Sequence, residues 1–192
     1  VADDAVKIIV EVQLFEHQLR GGARKAMERM LDGQQLELLD DCVAYFKESY
    51  AKNSCVLSKP YDGVMETMPA KQFNADAAIA RGVYQAFSFG PALLDANGKA
   101  MEEYDTEIER VNPRCAIGYY EPGHYCFVVV DGRQSGYSRG MTIQELGALF
   151  EDLGCQSAYN LDGGKTAVMI FDGKKVNTPA DGGRKISDIV YI

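Results

Sequence analysis

The spacing of apolar positions changes near residue 60. Upstream, Leu36, Leu39, Val43, Phe46 and Tyr50 recur at three- and four-residue intervals, the signature of one helix face, with Asp32-Gly33 as a break before it. Val6 to Leu19 predicts an earlier helix capped by Asp3 or Asp4, although its Ile-Ile-Val-Glu-Val portion also suits a strand. Downstream the pattern becomes strand-like and glycine is frequent. Gly82 to Gly90, with Val83, Tyr84, Phe87 and Phe89, predicts a strand followed by a turn at Asp95-Ala-Asn-Gly98. Arg114 to Tyr120 and Tyr125 to Asp131 predict two strands joined through Glu121-Pro-Gly-His124. Thr142-Ile-Gln-Glu145 is a capping box, in which hydroxyl and carboxylate satisfy each other's backbone donors; Leu146, Leu149 and Phe150 supply the buried face and Gly154 the stop. Ser157 to Leu161, Ala167 to Phe171 and Ile189 to Ile192 predict further strands, with a hairpin turn at Asp172-Gly173. The expected fold is α+β, a mixed β-sheet with flanking helices, preceded by a mainly helical N-terminal segment. The expected division is residues 1–60 for that segment and 61–192 for the domain.

A chain of 192 residues can bury a substantial core, and its longest apolar runs have strand length, short of a membrane span. The opening Val1-Ala-Asp-Asp has neither an initiator Met nor a signal segment, which suggests a trimmed or processed chain. Lys and Arg number 20 against 28 Asp and Glu, a net charge of −8 that argues against nonspecific binding to nucleic acid or an anionic membrane. Cys42, Cys55, Cys115, Cys126 and Cys155 are scattered, without a CxxC pair, so neither a disulfide framework nor a zinc site is expected. The last three lie in or beside apolar segments, as small core residues do.

Two short loops near the C-terminus share a tripeptide: Asn160-Leu-Asp-Gly-Gly-Lys-Thr166 and Asp181-Gly-Gly-Arg-Lys-Ile-Ser187. Each combines glycines, a carboxylate, a cation and a hydroxyl, a composition suited to an anionic, hydroxyl-rich ligand. Gly164-Lys165-Thr166 imitates the tail of a nucleotide-binding P-loop, but Tyr159 stands where the leading glycine belongs. A strand-like run follows where a helix should begin, so a nucleotide triphosphatase is not expected.

Taken in order, Asn112-Pro-Arg-Cys-Ala-Ile-Gly118, Val128-Val-Val-Asp-Gly-Arg133, Gly136-Tyr-Ser-Arg-Gly-Met-Thr142, Asn160-Leu-Asp-Gly-Gly164 and Gly182-Gly-Arg-Lys-Ile-Ser-Asp188 resemble the phosphodiester glycosidase family. Phe87-Ser-Phe-Gly-Pro91 is similar to it as well, and the resemblance covers residues 62–192. It implies hydrolysis of a sugar joined through its anomeric carbon to a phosphate. The leaving phosphomonoester has a protonation pKa of about 6, so it departs more readily than an alkoxide. A strong general acid, one of the two carboxylates of an ordinary glycosidase, is then less necessary. The remaining tasks are to hold phosphate, stabilise an oxocarbenium-like centre and direct a water.

Arginine suits phosphate because its planar fork pairs bidentately, which nominates Arg114, Arg133 and Arg184. Asp162, flanked by Gly163 and Gly164, is the first candidate for the catalytic carboxylate because a ligand can approach its backbone closely. Asp131, at the end of an apolar strand, is the second; a turn or other structural role is open for both. Asn160, Thr166 and Ser187 are candidates for sugar hydroxyls or phosphate, with capping roles equally open; Lys165 and Gly183 complete the expected site. His124 and His17 are expected at surface or packing positions, and Tyr119, Tyr120 and Tyr125 on the sheet. No cofactor or metal is expected. The implied partner is a glycosyl-phosphate or phosphoglycan, with no nucleic acid, no membrane insertion, and a homo-oligomer or partner chain engaged through the N-terminal helices. The family resemblance implies an extracellular or cell-envelope setting.

This chain departs from the family pattern in three respects. Lys165 stands where a third glycine is common, Ser187-Asp188 replaces a common Ser-Asn, and residues 1–60 lack the Asn-Gly-Asp/Gly-aromatic element that normally opens the domain. A noncatalytic glycan- or phosphate-binding module is therefore the alternative to a hydrolase.

Overall fold

A hairpin through Pro122 and Gly123 forms the centre of the fold, as its turn residues predict. The computed structural model describes residues 7–13, 54–59, 63–69, 72, 75–81, 83, 85–104, 106–186 and 189–191. The first elements in chain order are β1 (Lys7–Gln13), β2 (Ser54–Lys59), β3 (Val64–Pro69), α1 (Ala75–Ala80) and β4 (Gln85–Ser88). There follow β5 (Arg114–Glu121), β6 (His124–Val130), α2 (Ile143–Asp152), β7 (Ser157–Leu161), β8 (Ile170–Phe171) and β9 (Lys174–Lys175). A four-stranded sheet runs in the order β1-β6-β5-β7, and a second runs β3-β2-β4; every pairing in both is antiparallel.

The period-two geometry of a strand sends alternate side chains to opposite faces. On one face of the larger sheet, Ala116, Cys126, Val128 and Val130 pack with Leu146, Leu149 and Phe150 of α2. On the other, Ile117, Tyr119, Tyr125 and Tyr159 pack with Met65 of β3, with Phe87 of β4 against the cluster. Both faces of β6 are thus covered, which is why Val128-Val-Val130 reads as an unbroken apolar run. The capping box forms as expected: Glu145 N donates to Thr142 Oγ1 at 3.1 Å and Thr142 N to Glu145 Oε2 at 2.9 Å. Gly154, at φ +76°, ends the helix. Cys126 and Cys155 are buried, with their sulfurs 3.7 Å apart. Tyr119 and Tyr125 pack within the core with ring centroids 5.8 Å apart and planes tilted by 49°.

The expected fold class needs correction. Among the described residues the regular elements are mostly strands, with α2 as the one helix longer than six residues. Their sheets are antiparallel rather than mixed. Within the helix expected from Val6 to Leu19, Lys7–Gln13 is a strand that covers the edge of β6, from Lys7 opposite Val130 to Gln13 opposite His124. Its β-branched residues lose rotamer freedom in a helix and fit a pleated surface, and the open edge of β6 decides between the two. The helix expected around Leu36 to Tyr50 lies outside the described residues. Of the strand expected from Ala167 to Phe171 only Ile170–Phe171 forms, and residues 189–191 are irregular. Among the described residues no helix is long and apolar enough to cross a membrane.

Gly118 lets the helix layer approach the sheet. A Cβ there would lie 2.6 Å from Phe150 Cε1, 2.7 Å from Cys155 Sγ and 2.8 Å from Cys126 Sγ. Gly118→Ala should therefore lower the unfolding free energy by about 1–3 kcal/mol through overpacking. The measurement is a lower urea midpoint at unchanged slope; an unchanged midpoint would mean that the layers have slack at this point.

Candidate functional site

The antiparallel register of β5 and β7 sets Cys115 opposite Leu161, so the start of one strand meets the exit of the other. Arg114 and Asp162 come from these neighbouring ends. The loop after β7 then folds back on β5: Gly164 N donates to Pro113 O at 3.0 Å. A Cβ on Gly163 would lie only 2.4 Å from the same oxygen, so the approach requires glycine. Thr166 closes the turn, its hydroxyl donating to Gly163 O at 2.6 Å.

A cleft of about 300 Å³ opens here, lined by Arg114, Arg133, Asp162, Gly163, Gly164, Lys165 and Arg184 together with Phe89, Ile108, Asn112 and Pro113. Four cations and one carboxylate are among these lining residues, four minus one, a surplus of three positive charges in a chain of net charge −8. Arg114 is only 3% exposed, and its guanidinium donates to Met141 O at 2.9 Å, Ile108 O at 2.7 Å and Arg110 O. Burial and the neighbouring Arg133 lower its pKa to about 10, which leaves it charged at neutral pH. Arg133 has φ +59° and directs Nε and one terminal nitrogen to Asn112 Oδ1, at 3.0 and 2.7 Å. Neither arginine is ion-paired with a carboxylate among the described residues.

The remaining charges pair across the two glycine loops. Arg184 holds Asp162 at 2.8 Å and Lys165 holds Asp181 at 2.7 Å. The Lys165 ammonium, and more weakly Arg133, keeps the Asp181 carboxyl below the ordinary carboxylate range.

Other expected site residues have different surroundings. Asp131 is 1% exposed and does not line the cleft; its carboxylate accepts from Tyr137 OH at 3.0 Å, Asn177 Nδ2 at 2.8 Å and Thr178 N at 2.9 Å. Asn160 is fully buried, its amide donating to Gly90 O at 2.7 Å. Its Oδ1 has no hydrogen-bond partner. Asn160, Thr166 and Gly183 stand outside the cleft lining, and Ser187 lies outside the described residues. His124 stacks on Tyr120 at 4.5 Å beside Glu121, away from the cleft. Sequence reasoning missed Phe89, Ile108, Asn112 and Pro113. Asn112 carried a usable signal, since it opens the Asn-Pro-Arg motif. Among the described residues no group of three His, Cys, Asp or Glu could hold a metal ion.

Comparison with proteins of known sequence and structure identifies the family of the chain. The chain belongs to the phosphodiester glycosidase family, whose model matches residues 48–192. It is 32% identical over 123 residues to the SPbeta prophage-derived uncharacterized protein YomE of Bacillus subtilis, covering 63% of this chain and 19% of that protein. The catalytic domain of zebrafish N-acetylglucosamine-1-phosphodiester alpha-N-acetylglucosaminidase, auto-inhibited by its pro-peptide, shares the fold. The likeness has a TM-score of 0.54 at 21% identity, over 67% of this chain and 45% of that one. A hypothetical protein from Synechocystis is similar at 20% identity and a TM-score of 0.47, over 65% of this chain and 22% of its own. The chain thus spans about a fifth of the Bacillus relative and under half of the zebrafish domain.

The surroundings of Asp131 define a measurable consequence. Asp131→Asn would turn an amide N–H toward one of three donors and should cost about 1–3 kcal/mol of stability. Phosphate affinity should fall no further than the folded fraction does. A loss of affinity in fully folded protein would return Asp131 to the site.

Proposed function

We propose that this chain hydrolyses the glycosidic bond between a sugar anomeric carbon and a phosphodiester, with a bacterial phosphoglycan as the substrate class. The observation that carries the reading is the convergence of Arg114, Arg133, Arg184 and Asp162 on one cationic cleft. Water adds to the anomeric carbon as its bond to oxygen breaks, and the phosphate leaves with the bonding electrons. A diester monoanion thereby becomes a monoester dianion. Cations fixed around the phosphate stabilise the transition state more than the ground state, which is the requirement for catalysis. In this mechanism Arg184 transfers its pairing from Asp162 to the substrate phosphate. Asp162 is then left to take the water's proton as general base. Phe89 and Ile108 offer apolar surface for the sugar beside the charges. The proposed setting is extracellular or in the cell envelope, where bacterial phosphoglycans occur.

The Asp162–Arg184 pair also favours a second reading, a noncatalytic phosphoglycan-binding module in which the carboxylate only orients the arginine. Release of free sugar from a sugar 1-phosphate methyl diester separates the two. N-acetylglucosamine is the first sugar to try, because the zebrafish relative's name specifies it. The wild type should release sugar, Asp162→Asn should lower kcat by about 100-fold or more, and Arg133→Ala should act mainly on KM. Release no faster by wild type than by Asp162→Asn would eliminate the hydrolase and leave the binding module.

A further inference from the structure

Lys165 ends the first Asp-Gly-Gly run, and the geometry gives it a defined partner. The two loops share one spacing: an aspartate, two glycines and a cation, Asp162-Gly-Gly-Lys165 and Asp181-Gly-Gly-Arg184. Each aspartate pairs with the cation of the other loop, Asp162 with Arg184 at 2.8 Å and Asp181 with Lys165 at 2.7 Å. A half-exposed ion pair contributes little on its own. Two such bonds between the same loops reinforce each other, because either one holds the partners of the other at high effective concentration. The second loop also turns through three residues with left-handed backbones, Asp181 at φ +50°, Gly182 at +77° and Gly183 at +94°. That conformation is unusual for aspartate, and here it accompanies delivery of the carboxylate to Lys165.

We propose that Lys165 is a positioning residue: through Asp181 it clasps the second glycine loop against the first, holding Arg184 where it can meet an anion in the cleft. The inference rests on the anion site proposed above and deepens it. On this reading Lys165 keeps its ammonium on Asp181 while Arg184 exchanges Asp162 for the anion, although both side chains line the cleft.

The test turns on the sign of one substitution. Asp181→Asn removes the charge while keeping a residue that tolerates the left-handed backbone. If Lys165 positions the loop, this variant binds inorganic phosphate more weakly, by about two- to fivefold, since an exposed ion pair is lost. If Lys165 touches phosphate directly, releasing it from Asp181 leaves affinity unchanged or tighter. Calorimetric titration at about 0.15 M NaCl, where the Debye length is about 8 Å, limits the long-range effect of deleting a negative charge while leaving the contact pairs at 2.7 and 2.8 Å in place. Lys165→Gln should weaken binding to a similar degree, and the double variant should be no weaker than either single one, because the pair acts as a unit. Melting temperatures should stay near wild type. A fall in melting temperature that accounts for the lost affinity would make the pair merely structural and overturn the proposal. Phosphate binding by wild type with equal or tighter binding by Asp181→Asn overturns the clasp alone; wild type that binds no phosphate removes the anion site, and the clasp with it.

Discussion

The cleft depends on one close approach, that of Gly163 to the Pro113 carbonyl. The β5–β7 register brings the loop back over the start of β5, where the Gly164 N–H donates to the same oxygen at 3.0 Å. Any side chain at Gly163 would place carbon 2.4 Å from that oxygen. With the loop lying flat, Arg114 and Asp162 share a wall, and the Arg133 guanidinium passes over Gly164, with nitrogens 3.3 and 3.4 Å from where its Cβ would be. Glycine matters here for the space it leaves, and the charges occupy that space.

The electrostatics follow from this crowding. A buried guanidinium loses hydration, and Arg114 recovers it in part from three backbone carbonyls, whose dipoles supply partial negative charge. Its lowered pKa of about 10, caused first by burial and then by Arg133, records the remaining cost. An anion in the cleft would offset both the lost hydration and the repulsion between the two arginines. An acidic chain that concentrates cations in one small cleft selects for anions there while its surface repels polyanions in general.

Legibility in the sequence followed the range of the interaction that decided each feature. The Pro122-Gly123 hairpin, the Thr142–Glu145 capping box and the Gly154 stop are settled within a few residues, and all were predictable. Ile8-Ile-Val-Glu-Val12 fits either helix or strand, and its choice is made by β6 more than a hundred residues away. Asp131 and Asp162 look alike in sequence, each ahead of a glycine. Asn177 and Thr178 bury one of them, while Arg184 holds the other half-exposed at the cleft. Asn112 was missed for the same reason: its amide acquires a role only where Arg133, 21 residues on, lies against it. The two Asp-Gly-Gly loops were recognisable as a matched composition, but their crosswise pairing appears only in three dimensions.

What holds the molecule together is separate from the charged cleft. The apolar layers on either face of the larger sheet supply the stability, and burial on that scale far outweighs exposed ion pairs. The cleft sits beyond them at the strand ends, built from glycines, the buried Arg114 and the exposed charges of Asp162, Lys165 and Arg184. Gly118 and Asp131 accordingly belong to the packed scaffold, whereas Asp162, Lys165, Asp181 and Arg184 lie on the loops that it presents. Neither crosswise ion pair reaches into those apolar layers, so the charge geometry of the loops is set apart from the packing of the scaffold that presents them.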